Sequence, residues 1–432
     1  MQIYGWGRYP RAEAKVQSPS SVDDCVQTIL GHENIIPRGL ARSYGDSSLA
    51  SHVLSMIDMK VPDEFNSETG TLTCTAGTTF DEILHRYVPL GWFLPVTPGT
   101  RFITVGGAIA SDVHGKNHHV QGAFSDHVRE IELLLGNGDI VKTSPVLRSD
   151  LFRATCGGMG LTGVILAATF DLIPITSSKI VQTTTKLPNL EATLDAFEEY
   201  SSLPYSVAWI DSLATGKHNG KSIMFLGSHA KDDILSPIRG QAINIPIDLP
   251  AATLNPVTVK LFNQLYYKKA RSNETKLVPL ESFFYPLDSI GNWNRLYGKR
   301  GLLQYQCVIP KSVGRLGIKQ LLSLVAESGQ MSFLAVLKLF GKGNENYLSF
   351  PCEGYTLSLD FKVQPQSLRL LDTLDQLVLE LGGKLYLAKD ARMPESIFKS
   401  TYPMWEKFEQ VRENYYAVGR FSSLQSMRLG LR

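Results

Sequence analysis

Two segments rich in residues that break regular structure set the terms for folding this chain. They are PRGLARSYGDSSL, from Pro37 to Leu49, and PGTRFITVGGAIASDVHGKNHH, from Pro98 to His119. Either one alone reads as a surface turn. The first, however, runs straight into the apolar HVLSMIDM, and the two share small residues and basic side chains. Gly106, Gly107 and Ala108 remove side-chain bulk, so backbone N–H groups can approach a large ligand. Ala108, Ile109 and Ala110 read as the start of a helix whose first N–H groups face an anion. Arg42, Ser43 and Tyr44 on one loop, with Arg101, His114 and Lys116 on the other, are expected to enclose a diphosphate.

At 432 residues the chain has room for about two or three domains. Hydrophobic residues at 43% and charged residues at 19% describe a soluble globular protein. Lys and Arg total 43 against 41 Asp and Glu, which argues against a nucleic-acid binder relying on bulk charge. Five scattered cysteines without a CxxC pair fit a reducing compartment and exclude a cysteine-rich zinc site. The N-terminus lacks an apolar signal-peptide core, and no run of 18 apolar residues occurs, so a cytoplasmic location is expected.

Up to about residue 175, short apolar runs alternate with turn signals. TLTCTAG (71–77) reads as a strand, TTFDEILHRYV (78–88) as a helix capped by Thr78 or Thr79, and VREIELLLGNGDIV (128–141) as a hairpin. LTGVILAATFDLIPI (161–175) is rich in β-formers. From about 177 the pattern becomes strands with amphipathic helices, a sheet covered by helices. The strands are YSVAWIDSL (205–213), LLQYQCVIP (302–310), SFLAVLKLFG (332–341) and YTLSLDFKV (355–363); the helices are 187–203 and 367–383. After Lys384 the tail starts as a short strand, KLYLAKD, then turns helical and aromatic.

Two motifs mislead. Gly158-x-Gly160-x-x-Gly163 is a formal GxGxxG, but a strand follows it where a dinucleotide site needs a helix, so the glycines are expected to let a flat ring pass the backbone. His114, His118 and His119, with Asp112, suggest a metal site, yet no HExxH or cysteine partner accompanies them, and no metal is expected.

RGLARSYGD, TPGT, TVGGAIASDVHGKNHH and LFRATCGGMGLTGVI resemble the FAD-binding domain of the vanillyl-alcohol-oxidase-type (PCMH-type) flavoprotein oxidases. Within that superfamily, FFYPLD, NRLYGKRGLLQYQ, LKLFG, LSFP and LYLAKDAR are similar to the decaprenylphosphoryl-β-D-ribose 2-oxidases. The resemblance implies an α+β chain. A two-part FAD-binding domain would span 1–176 and return at 384–432, around a substrate domain at 177–383 with an antiparallel sheet covered by helices. It implies oxidation of C2 of a polyprenylphosphoryl ribose to the 2-keto sugar, the first half of an epimerisation toward the arabinose donor for cell-wall arabinan. A short-chain reductase would complete it. An alditol or sugar-lactone oxidase, and a non-catalytic flavin module, are the rival readings.

Carried over residue by residue, FAD contacts fall on Pro37, Arg38, Gly39, Leu40, Ala41, Arg42, Ser43, Tyr44, Gly45, Asp46 and Ser47. Further contacts fall on Gly99, Thr104, Val105, Gly106, Gly107, Ser111, Asp112, Val113, His114, Val164 and Tyr386. Tyr44 stands in the region where many members attach flavin through a histidine, so FAD is expected without a covalent bond. The substrate face falls on Gln304, Gln306, Lys338, Ser358 and Lys389, with Ser358 where the best-known members carry cysteine. Lys389 would place the sugar hydroxyl and offset charge on the reduced ring, with His114 helping to hold the flavin. Leu424 and Met427 replace polar residues expected in the tail. Residues 235–272 carry one acid, Asp248, against Arg239, Lys260, Lys268, Lys269 and Arg271. Their first half reads as a loop or lid. Leu261, Phe262, Leu265, Tyr266 and Tyr267 read either as a helix packed on the substrate domain or as a peripheral membrane contact.

Overall fold

The computed structural model describes residues 1–238, 243–250 and 253–432, so part of the expected lid, including Arg239, lies outside the described residues. Three sheets organise the chain. A small parallel sheet has His52–Ser55 at its centre, between Lys15–Gln17 and Ile35–Arg38. An antiparallel sheet of five strands runs in the order Ile140–Thr143, Val128–Leu134, Val164–Asp171, Thr71–Thr75 and Glu64–Asn66. The hairpin expected at 128–141 is its edge pair, with Ile140 opposite Leu134. The helix Phe80–Tyr87 follows its last central strand, capped by Thr79, whose side chain accepts from the Glu82 N–H while Glu82 reaches back.

The third sheet has eight antiparallel strands. Their order is Glu274–Pro279, Lys179–Leu187, Ser222–His229, Tyr205–Ile210, Ala335–Phe340, Gly354–Lys362, Leu302–Pro310 and Lys384–Leu385. Helices Leu190–Glu199, Lys311–Glu327 and Pro365–Glu380 cover one face. Strand alternation sorts the side chains. Tyr305, Cys307 and Ile309, with Tyr355, Leu357 and Leu359, join the apolar core, whereas Gln304, Gln306, Thr356, Ser358, Val336 and Lys338 line a cavity on the other face. The expected KLYLAKD strand pairs only over Lys384–Leu385. The chain then turns, because the Lys389 N–H donates to the Tyr386 carbonyl at 2.9 Å, and that turn carries Lys389 to the cavity.

Beyond the turn the tail packs back on the N-terminal sheets. Phe421 bridges Ile35, and the buried Arg412 pairs with Glu409 while donating to the carbonyls of Leu161 and Phe421. Leu424 and Met427 take no polar role; Gln425 donates to the Leu387 carbonyl at 2.8 Å instead. Arg428 holds Asp46 at 2.7 Å and Asp390 at 2.8 Å, tying the first loop to the turn that bears Lys389. Gly45 is required at this junction: a Cβ there would lie 1.8 Å from the Asp390 carbonyl oxygen. Removing Arg428 strands two carboxylates whose side chains are 4% and 5% exposed. The Arg428→Met variant should therefore lose about 3 kcal/mol of stability, read as a lower denaturant midpoint, whereas Met427→Gln, at an exposed position, should be near neutral.

Candidate active site

A cavity of about 970 Å³ lies between the open face of the eight-stranded sheet and the two glycine-rich segments. Seventeen of the 22 expected FAD residues line it, as do all five expected substrate residues. Gly45, Asp46, Val105, Asp112 and Val164 stand behind the wall, because each is consumed by packing or hydrogen bonding. Asp112 shows this best: its carboxylate accepts from Ser349 at 2.6 Å, Asn344 at 2.8 Å and Asn346 at 3.1 Å.

The helix expected at Ala108 begins at Val105, with Thr104 as its cap. Its first N–H groups do not face the cavity. Val105 donates to Thr78 O, Gly106 to Ala76 O and Gly107 to Thr104 Oγ1. The free donors are on the other loop. Among the described residues, the N–H groups of Leu40, Ala41, Arg42 and Ser43 have no partner, and Ala41 adopts φ 53°. Successive unpaired N–H groups around a left-handed residue form a concave anion site. Gly39 brings this loop against Thr104, whose Oγ1 would lie 2.2 Å from a Cβ. Arg42 adds a cation above the Trp6 ring at 4.1 Å, while Arg38 is tied to the carbonyls of Ser48 and Tyr4.

At the sheet end of the cavity, His114 is flanked by the rings of Phe340, Phe350 and Tyr386. Its Nε2 accepts from the Gln306 amide at 3.0 Å, and its Nδ1 has no partner among the described residues. Burial, then Lys338, hold its pKa well down, so the ring is neutral. Lys389 lies over the Tyr44 ring at 4.0 Å. Burial pushes Lys389 down to about 7, with Asp360 opposing and Lys338 reinforcing. Lys338 is pushed down to about 8 by burial. Lys116, donating to the Phe284 carbonyl at 2.9 Å, falls to about 7 through burial and Lys338. Asp360 sits behind these groups, bound by the Gln304 amide at 2.6 Å.

The remaining walls are apolar: Trp209, Phe225, Phe262, Tyr266, Phe333 and Trp293 all line the cavity. Phe262 and Tyr266 come from the helix Pro256–Lys269, which packs on the sheet side through Val259 and Asn263. These two aromatics thus face the site, and Tyr267 is enclosed by Lys186 and Lys221. Val257, Leu261 and Leu265 form the most exposed stripe, at 75%, 55% and 58%, while Phe262 and Tyr266 remain 39% and 37% exposed.

Sequence reasoning missed Asp360, Thr356 and the aromatic wall. Asp360 had a signal, since it shares the phase of Thr356 and Ser358 in an otherwise apolar strand. Gly160 and Gly163 line the cavity and lead into the strand Val164–Asp171. The three histidines that suggested a metal site diverge: His114 binds Gln306, His118 packs on Phe340 at 4.5 Å, and His119 contacts the Leu203 carbonyl.

Residues 10–144 match the FAD binding domain family. A decaprenylphosphoryl-β-D-ribose oxidase of Mycolicibacterium smegmatis is 36% identical over 100% of this chain and 97% of its own length. The chain belongs to that oxidase family. An uncharacterized Streptomyces coelicolor protein is 31% identical over 82% of this chain and all of its own length. Cytokinin dehydrogenase 9 of rice is 28% identical over 37% of this chain and 33% of its own. The chain is an FAD-dependent oxidoreductase of α+β fold. The cavity fits that cofactor: unpaired N–H groups and Arg42 suit a diphosphate, and the orphaned His114 Nδ1 sits at the opposite, sheet end. Among the described residues no helix is long and apolar enough to cross a membrane.

Proposed function

We propose that this oxidase converts the C2 hydroxyl of a polyprenylphosphoryl-β-D-ribose to the ketone. The observation that carries this reading is the cavity's two-sided chemistry. Lys116, Lys338 and Lys389 gather beside Gln304 and Gln306, and an aromatic wall continues from them toward the helix Pro256–Lys269. An anionic sugar with an apolar tail matches both parts. A free alditol or lactone leaves the aromatic wall without a role.

Bound FAD supplies the acceptor that takes the hydride from the sugar carbon. It would be held by the Leu40–Ser43 N–H groups, Arg42 and the Thr104–His114 segment. Gln304 and Gln306 would orient the sugar hydroxyls, and Lys338 with Lys116 would meet the phosphodiester. Lys389, near neutrality because it is buried, would accept the hydroxyl proton in its amine form and then stand as a cation beside the developing negative charge. A short-chain reductase would consume the keto product and complete the epimerisation.

Adding polyprenylphosphoryl ribose anaerobically should bleach the flavin absorbance, while free pentoses and alditols should not; the reverse pattern removes this reading. The Lys389→Met variant should retain FAD and lose about 10²–10³ in turnover. Near-normal turnover reassigns the proton acceptor.

Tyr44 is a phenol buried beneath Lys389, poorly suited to carry a flavin linkage. Acid precipitation should therefore leave the yellow cofactor in the supernatant rather than in the pellet.

The stripe Val257, Leu261 and Leu265, with exposed Lys260, Lys268, Lys269 and Arg271, gives the helix an outer face suited to an anionic bilayer. Each basic residue there contributes about 1 kcal/mol. A lipid tail would then reach the aromatic wall while staying in the bilayer. Wild type should co-sediment with anionic vesicles at low salt, and the Lys268→Glu, Lys269→Glu, Arg271→Glu variant should not. Equal binding, or none by either, would leave the helix as a cavity wall only.

A further inference from the structure

We propose that Asp360 is a positioning residue acting through Lys389: its negative charge holds the proton that Lys389 takes from the substrate hydroxyl. This rests on the proposed role of Lys389. Asp360 lies on Gly354–Lys362 directly opposite Gln304 and is fully buried. One carboxyl oxygen accepts from the Gln304 amide at 2.6 Å; the other is buried without a partner among the described residues. Its backbone N–H is already satisfied by Ser332 Oγ at 2.8 Å, so the side chain does not serve the local backbone. A half-satisfied buried carboxyl is costly, and an amide or an apolar residue would suit the sheet better. What the site gains is a negative charge bonded to Gln304, which lines the same cavity as Lys389, and that charge acts on Lys389 through space.

The groups around Lys389 come from four elements. Asp360 opposes its loss of a proton; Lys338, on Ala335–Phe340, favours it. Tyr44 on the first loop presents its ring, and His114 is held neutral. Asp390, next in sequence, is taken by Arg428. Asp360 is pushed up to about 7 by burial and Lys389 down to about 7, so the two titrate as a coupled pair. The pair becomes competent when it has lost its second proton, leaving carboxylate and neutral amine. In the reaction the hydroxyl O–H bond breaks and its proton joins the Lys389 lone pair. The C–H hydrogen would leave with its electron pair as a hydride to bound FAD, and the ammonium so formed would be favoured by the Asp360 charge.

The test is the Asp360→Asn variant, which can keep the bond from Gln304 and deletes the charge. The acid limb of its kcat/KM profile should move to lower pH by about one unit or more, with a lower plateau from the weaker base. The ¹⁵Nζ resonance of Lys389, assigned by its absence in Lys389→Met, should show the same shift of midpoint. In wild type that resonance should titrate in two steps, because the carboxyl registers on it; this reading stands whether or not the variant folds. An unmoved limb and midpoint, or a single-step wild-type titration, overturns the proposal. If Lys389→Met is inactive while Asp360→Asn behaves as wild type, only the role of Asp360 falls. If Lys389→Met turns over normally, the proton-acceptor reading falls first.

Discussion

Three lysine side chains are crowded around one cavity, one set there by strand alternation and two by the loop and turn that face it. Lys338 is placed by a strand whose odd-numbered neighbours Leu337 and Leu339 are in the core. Lys389 is thrown in by the turn at Tyr386, and Lys116 is held by the Phe284 carbonyl. Burial brings Lys116, Lys338 and Lys389 to about 7, 8 and 7, with Lys338 pushing the other two further down. Groups so poised exchange protons near neutral pH and favour an anionic ligand, which relieves their repulsion. The acidic groups near them, Asp288 and Asp360, are both raised by burial.

Holding those lysines requires the distant parts of the chain to be locked together. Arg428 near the C-terminus bonds Asp46 in the first loop and Asp390 beside Lys389. The N–H of Tyr44 donates to the Ala388 carbonyl at 2.9 Å, so loop and turn are joined by backbone as well. The first glycine-rich loop and the turn that bears Lys389 are thus parts of one junction, and the tail ties them together.

Local signals in the sequence carried the elements whose residues agree with their surroundings. The strand Leu302–Pro310 was legible end to end, since it alternates cleanly and closes on proline. The helix at Phe80 was legible from its capping pair. The helix at Val105 was legible only from Ala108 on, because its first turn, a β-branched residue and two glycines, is made of poor helix formers. Tertiary acceptors, Thr78 O and Ala76 O, fix its start and consume the donors that the sequence suggested for an anion. The donors that remain free, Leu40 to Ser43, could be recognised only once the loop's partners were known. Asp360 was overlooked for a related reason: its phase is local, but its meaning depends on a sheet register that sets residue 360 opposite Gln304, which lines the cavity with Lys389.

The helix Pro256–Lys269 shows how one amphipathic element can serve two environments. Phe262 and Tyr266, four residues apart, stack at 5.7 Å and turn toward Trp209 and Phe333 in the cavity. Leu261 and Leu265, one position earlier in each case, face outward. A 100° step between neighbours on a helix is enough to separate these two faces. An apolar chain leaving the cavity along Phe262 and Tyr266 would meet the leucine face within one helix diameter, about 10–12 Å. A free sugar has no use for such a path. An amphiphile whose phosphate is fixed among lysines and whose tail must remain in an apolar phase does, which is why the aromatic wall and the lysine cluster are best understood as parts of one substrate path.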